Sequence, residues 1–238
     1  MPTYALYLES GPQQKTTLVH VLELLGCVAN GKTTALALAA TPHAIRAYLA
    51  YLRRHGERVD PRAAFGTRVA EHVTKGDFLG HGSSTVMYGP DRAPLTPADQ
   101  ARYLGWLDWS RADLLAAVKD VDAKALRARP GPRGRSLEEI LRHVLEADKD
   151  YVYSFLGPVK EVGDPVNAAG RDALDLSAAL LVARQAAIAR IRSLTPVERR
   201  AARRRGKTTR TARRMIRRML EHEWEHRREI ATRLGRPA

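Results

Sequence analysis

The N-terminal part of the chain alternates between short apolar runs and turn signals. Two apolar or β-branched runs, Pro2 to Leu8 and Thr16 to Leu25, flank the turn-forming Ser10-Gly11-Pro12, which predicts a β-hairpin. From Thr34 to Arg54 the apolar residues recur at helical spacing. We therefore expect a hairpin with one helix packed on it.

Downstream of that helix the glycine-rich stretch up to Pro94 contains two short strand candidates, Thr67 to Val73 and Ser84 to Tyr88. From Thr96 the apolar residues follow a helical period, and the start is marked by an N-cap threonine and by Pro97 at the first helical position. Three further helices are predicted. One begins at a capping box formed by Ser136 and Glu139, and the other two cover about Asp172 to Leu194 and Thr211 to Leu234.

These patterns predict an α+β fold with two domains in the 238 residues. Residues 1–93 would form a small β-sheet domain with one packed helix. Residues 94–238 would form an all-α four-helix bundle, an architecture in which facing helices can share a metal site.

Composition and the absence of export signals favour a cytoplasmic protein. The single cysteine, Cys27, excludes an internal disulfide, and the N-terminus lacks the features of a secretory signal. The longest uncharged run, Thr33 to Ile45, is too short to span a bilayer. We expect no membrane association.

The net charge of +14 raises the question of a polyanionic partner. On a helical wheel of the last helix, arginines point away from the apolar stripe, and Glu221 and Glu225 lie within pairing distance of several of them. This outer face consists of Arg210, Arg213, Arg214, Arg217 and Arg228. We interpret it as a solvated, charge-paired surface, and we expect weak or no nucleic-acid binding. Trp224 on that face would pack on the first domain or on a second copy of the chain, which leaves a homodimer open.

The octapeptide Gly26 to Thr33 satisfies the phosphate-loop pattern of glycine, four residues and Gly-Lys-Thr. A nucleotide-binding loop also needs a parallel sheet of several βαβ units and a Mg²⁺-binding aspartate after a later strand. The sequence predicts neither, so we expect no nucleotide site here.

The same residues support another interpretation. The hairpin, the Leu25-Gly26-Cys27 step, the spacing of Gly31 and Thr33 and the following helix resemble the HicB-like antitoxin domain over residues 1 to about 56. The resemblance implies a helix packed on a small antiparallel sheet, with residues up to 93 completing the domain. Lys32 departs from the family pattern, which frequently has an acidic residue at that position.

The last predicted helix contains a pair of histidines, His222 and His226, four residues apart on its apolar side. Two imidazoles at this spacing can bind one metal ion if another segment supplies a further ligand. The alternative is that both histidines hydrogen-bond locally inside the core.

Together with His143 in the second predicted helix, this pair resembles the metal triad of the DinB-like superfamily, whose members include thiol-dependent transferases and isomerases. The resemblance covers residues 96 to 235 and extends to Trp109-Ser110-Arg111-Ala112-Asp113-Leu114. His143 lies at the flank of its own apolar stripe, so a surface position is the alternative for this residue.

The triad predicts a catalytic metal site, because three imidazoles leave coordination positions open. Zinc or nickel suits imidazole ligands. Glu223 is the candidate general base, or a partner that hydrogen-bonds a ligand histidine. The alternative is that it pairs with Arg227. We therefore expect a metal-dependent hydrolase or thiol transferase acting on a small molecule. The alternative is a HicB antitoxin-like protein that contacts a protein or nucleic acid, with the bundle as a structural module.

Overall fold

The computed structural model describes residues 1–206 and 208–236 and shows a mixed α+β fold, with a small sheet followed mainly by helices. The elements are, in chain order, β1 (Thr3–Ser10), β2 (Thr17–Val21), β3 (Val28–Gly31), α1 (Thr34–Arg54), β4 (Gly66–Val73), α2 (Pro97–Val118), α3 (Ala123–Arg127), α4 (Leu137–Leu156), α5 (Lys160–Gly170), α6 (Leu176–Arg192), α7 (Pro196–Arg200), β5 (Arg203–Arg205), β6 (Thr208–Arg210) and α8 (Ala212–Arg233). Among the described residues, no helix combines the length and the apolar character needed to cross a membrane.

Residue contacts divide the chain into two compact units, and the first comprises Met1–Ala93 together with Arg204–Thr209. Its sheet has the strand order β3-β2-β1-β4, in which β1 to β3 are antiparallel and β4 runs parallel to β1. The predicted hairpin is confirmed as β1 and β2, and α1 packs against β2 and β3 as expected.

One strand of this sheet was not predicted, and one predicted strand is wrong. Val28–Gly31, inside the octapeptide of the phosphate-loop pattern, forms β3, whereas the strand candidate Ser84 to Tyr88 has no regular structure. The apolar side chains of the second segment are nevertheless buried, because Val86 and Tyr88 join a cluster with Leu22 and Leu79. Their apolar character reflects this cluster instead of a strand ladder.

The residues of the phosphate-loop pattern have structural roles in this fold. A Cβ atom on Gly31 would lie 2.4 Å from the backbone nitrogen of Ala37, so only glycine lets the first turn of α1 approach this closely. The hydroxyl of Thr33 accepts a hydrogen bond from the backbone N–H of Leu36 at 3.2 Å and caps α1. The strand before the helix, β3, pairs antiparallel with β2.

The second unit runs from Pro94 to Arg203 and continues from Arg210. Its long helices pack pairwise, with α2 against α6 and α8, and with α4 against the same two helices. The caps predicted from the sequence are present: Thr96 accepts from the backbone of Asp99 at 3.1 Å, and Ser136 and Glu139 form a capping box. Apolar side chains from these helices, from Leu114 through Ile140 and Leu180 to Ile230, form the core.

The predictions for this part of the chain did not include the short helices α3 and α7, helix α5 or the β5–β6 hairpin. Helix α5 lies in a stretch for which no element was predicted, since Gly163 and Pro165 are helix-disfavouring residues. The β5–β6 hairpin lies in the basic segment before α8, where charge gave no strand pattern. The other predicted helices are confirmed, with α6 starting at Leu176 instead of about Asp172.

The expected solvated face of α8 is wrong for two of its five arginines and for Trp224. Arg214 and Arg217 are only 3% and 2% exposed, and Trp224 is buried with the guanidinium of Arg227 5.4 Å from its ring centre. Glu221 is buried too and pairs with Arg217 and Arg218, each at 2.9 Å. A helical wheel identifies the side of a helix opposite its apolar stripe, but it does not show whether other parts of the protein bury that side.

The packing at Gly31 predicts that a Gly31→Ala variant loses about 1–3 kcal/mol of unfolding free energy, because the added methyl group would overlap the backbone of α1. Gly170→Ala is the matched control, because a Cβ there meets no atom within 4 Å. Urea denaturation of both variants checks this. Equal midpoints for the two variants would contradict the close packing.

Candidate metal centre

The structure brings the three predicted ligand histidines together. His143 lies on α4, and His222 and His226 lie one turn apart on α8. One ring nitrogen from each residue can be chosen so that all three atoms lie within 4.8 Å of one another. The Nε2 atoms of His143 and His222 are 2.9 Å apart. Such a separation requires either a shared hydrogen or a cation between the two rings.

Helix packing explains how His143 reaches this position from the flank of its apolar stripe. Its neighbours Leu141 and Val144 are buried in the core, whereas His143 itself is half-buried. Because α4 packs directly against α8, the flank of α4 faces the histidine side of α8. The ring centre of His143 is 4.7 Å from that of His222 and 5.1 Å from that of His226.

The environment favours neutral imidazoles, the form in which histidine binds metals. Burial, together with the nearby His226 and Arg218, lowers the pKa of His222 to about 2. Burial also lowers the pKa of His143, with Arg135 contributing. The donor set therefore fits a metal ion, because each neutral ring has one nitrogen lone pair that can bind a metal.

Glu229 orients one of the three rings. Its carboxylate accepts a hydrogen bond from Nδ1 of His226 at 3.0 Å, which leaves Nε2 of that ring unprotonated. Burial lowers the pKa of His226 overall, although the hydrogen bond to Glu229 acts in the opposite direction. Arg233 in turn holds Glu229 at 2.6 Å. Sequence reasoning missed this carboxylate, although its position three residues after His226 is a usable signal.

Glu223, the candidate general base or partner of a ligand histidine, is held by two buried arginines. Glu223 is fully buried, and its carboxylate lies 2.6 Å from Nε of Arg111 and 2.9 Å from Nη1 of Arg184. Burial opposes ionisation, yet the two guanidinium groups hold the pKa of Glu223 well below its usual value. The carboxylate is thus held as an anion by two arginines, and the alternative partner Arg227 pairs with Asp113 instead.

Glu223 belongs to a buried ion quartet, defined here as Arg111, Asp148, Arg184 and Glu223. The quartet takes one residue from each of α2, α4, α6 and α8, and every member is at most 2% exposed. Arg184 binds Asp148 with two nitrogens, at 3.0 Å and 2.9 Å, and Arg111 donates to the same carboxylate at 2.8 Å. The two positive and two negative charges balance.

A tyrosine and an arginine lie next to the histidine cluster. The ring of Tyr151 is 5.8 Å from that of His222, edge to face. Arg218 donates to the Tyr151 hydroxyl at 3.3 Å and stacks on its ring. The guanidinium of Arg218, which also pairs with Glu221, contributes to the lowered pKa of His222.

The lowered histidine pKa values predict a specific pH dependence of stability in the metal-free protein. The unfolded chain protonates near the ordinary histidine pKa of 6.5, whereas folded His222 stays neutral, so the unfolded state binds more protons below that pH. Stability is therefore fully present above about pH 6.5 and falls as the pH decreases. Urea denaturation with a chelator from pH 8 to 5 measures this, and a His222→Asn variant should lose less stability over the range. An identical decrease in both proteins would contradict the burial effect at His222.

Comparison with known proteins agrees with the resemblance drawn from the histidines. No curated protein and no solved structure matches the chain significantly. The sequence profile of the DinB superfamily matches residues 107–230, which include all three histidines and make up slightly more than half of the 238 residues. The chain is therefore a member of the DinB superfamily.

Proposed function

We propose that the second unit binds one divalent transition metal ion through His143, His222 and His226 and uses it in a hydrolytic or thiol-transfer reaction. The observation that carries the proposal is the convergence of three ring nitrogens within 4.8 Å. Membership in the DinB superfamily supports it, because this superfamily is typically metal-binding.

The helix packing supports the interpretation of this unit as a four-helix bundle. Each of α2 and α4 contacts both α6 and α8, which is the arrangement expected when four helices surround one core. Bundles place metal sites between facing helices, and the three histidines lie where α4 faces α8. The small helices α3 and α5 are additions: α3 packs on α4, and α5 packs mainly on α6.

The proposed ion has a catalytic character because the protein supplies three imidazoles and leaves positions open for other ligands. A bound zinc or nickel ion would supply Lewis acidity, which lowers the pKa of a water molecule or a thiol that it binds. The chain keeps the three imidazoles neutral by burial and orients His226 through Glu229.

A second candidate is the binding protein implied by the HicB-like resemblance of residues 1–56, which stays a prediction. One observation favours a binding role for the first unit: β4 is an edge strand of the sheet, and Thr67, Arg68, Val69 and Ala70 are exposed. An exposed edge can pair with a strand of a partner. In that case the bundle would act as a structural module, without need of a metal.

We propose that nucleic-acid binding is weak or absent. Arg214, Arg217 and Arg218 are buried, so they are not available to neutralise phosphates. The high net charge is therefore a poor measure of the accessible charge on α8.

Metal analysis of the purified full chain tests the proposal. We expect about one equivalent of zinc or nickel in the wild type and close to none in His222→Ala, because loss of one of three ligands removes most of the affinity. His143→Ala should behave in the same way if α4 contributes a ligand.

His43→Ala is the matched control, since His43 is exposed on α1 and has no place in the cluster. It should keep the full metal content. Stoichiometric metal in His222→Ala, or a wild type that takes up no divalent metal after incubation and desalting, would contradict the proposal.

A further inference from the structure

The ion quartet and the histidine cluster share two helices. Asp148 follows His143 by five residues in α4, and Glu223 directly follows His222 in α8. A helix advances about 1.5 Å per residue, so each charged group lies within roughly two turns of a proposed ligand on a rigid segment. If α4 shifted along its axis relative to α8, Asp148 would move relative to Glu223 and His143 would move relative to His222 by the same distance.

The quartet is poorly suited to be a source of net stability. Removing four charges from water carries a desolvation cost that their mutual attraction offsets only in part. Apolar residues of similar volume would stabilise the same core as well or better. What charged groups provide instead is geometric discrimination, because their hydrogen bonds form over a narrow range of distances and angles.

The observed contacts restrict the helices in this way. Arg184 of α6 binds Asp148 of α4 with two nitrogens and also lies 2.9 Å from Glu223 of α8. Arg111 of α2 donates to both carboxylates, at 2.8 Å and 2.6 Å. Both arginines therefore connect α4 with α8, and a shift by one residue would break several buried charged contacts at once.

A metal site made from two helices needs this restriction. Zinc–nitrogen bonds are about 2.0–2.1 Å long, so ring positions must agree to within a few tenths of an ångström. Apolar contacts between helices are non-directional, whereas hydrogen bonds between charged groups are directional. A directional contact between α4 and α8 would hold His143 in a fixed position relative to His222 and His226.

We infer that the buried ion quartet positions α4 against α8 so that the three histidines converge on one metal ion. The quartet members are positioning residues, and none of them lies among the proposed ligands. This inference rests on the proposed metal site. It predicts that metal affinity depends on charged residues that never touch the metal.

The test compares two double variants of the full chain. The Arg184→Met, Glu223→Leu double variant removes the quartet members of α6 and α8 and leaves the neutral pair of Arg111 and Asp148. Arg227→Met with Asp113→Leu is the matched control: Arg227 also follows a ligand histidine directly, but its 2.7 Å ion pair connects α8 to α2 and does not involve α4. Each variant loses one positive and one negative charge.

Two quantities are measured for each protein: the free energy of unfolding of the metal-free form in urea, and the zinc dissociation constant by competition with a chromophoric chelator. We expect the quartet variant to stay folded and to bind zinc about 10–100-fold more weakly, while the control variant keeps the wild-type affinity. The visible spectrum of the Co²⁺-loaded quartet variant should also differ from that of the wild type.

Equal zinc affinity and equal Co²⁺ spectra in the two double variants would overturn the inference and leave the quartet with a purely structural role. If the quartet double variant does not fold, Glu223→Asp decides by the same comparison. That variant keeps the charge but shortens the side chain, and wild-type affinity in it would equally overturn the inference. A wild type that binds no zinc would instead contradict the proposed function, so the two failures are distinguishable.

Discussion

Two arginines and two carboxylates, one from each of α2, α4, α6 and α8, neutralise one another in the interior of the second unit. The rest of this unit depends on that arrangement, because an unpaired charge at any of the four positions would cost about 3–5 kcal/mol. Each helix is therefore restricted in both rotation and axial position. The apolar core around Ile140 and Leu180 contributes most of the favourable burial, and the quartet selects one packing among those that the core would accept.

Helix α8 combines three kinds of position that are usually separate. One side carries His222 and His226, a second carries Glu223 into the quartet, and the side expected to face solvent carries the buried pairs of Glu221 with Arg217 and Arg218. Burial has opposite consequences for these groups. It keeps the imidazole of His222 neutral, whereas the carboxylate of Glu223 next to two guanidinium groups stays charged.

Local signals in the sequence were sufficient for most elements. The hairpin, the capping residues at Thr96 and Ser136 and the amphipathic repeat of α8 all depend on residues close in the chain. Strand β3 was missed because Val28–Gly31 is short and ends in residues typical of turns, and it forms a strand because β2 supplies a pairing edge. Helix α5 forms despite Pro165 because it packs on α6.

The site was accessible to sequence reasoning only in part. The spacing of His222 and His226 indicated a shared face, and the resemblance to DinB-like proteins supplied His143. The sequence could not show the partners of Glu223, because Arg111 and Arg184 are 112 and 39 residues away in sequence, on α2 and α6. Charged residues in amphipathic helices are normally interpreted as surface positions. Only the packing of the helices shows that these four meet.

X-ray absorption spectroscopy at the metal edge of the zinc-loaded wild type tests the central claim most directly. We expect a first shell that contains three imidazole nitrogens at about 2.0–2.1 Å, recognisable by multiple scattering from the rings, together with at least one further light-atom ligand. A first shell with sulfur from Cys27, or one made of oxygen atoms without imidazole scattering, would contradict binding by His143, His222 and His226.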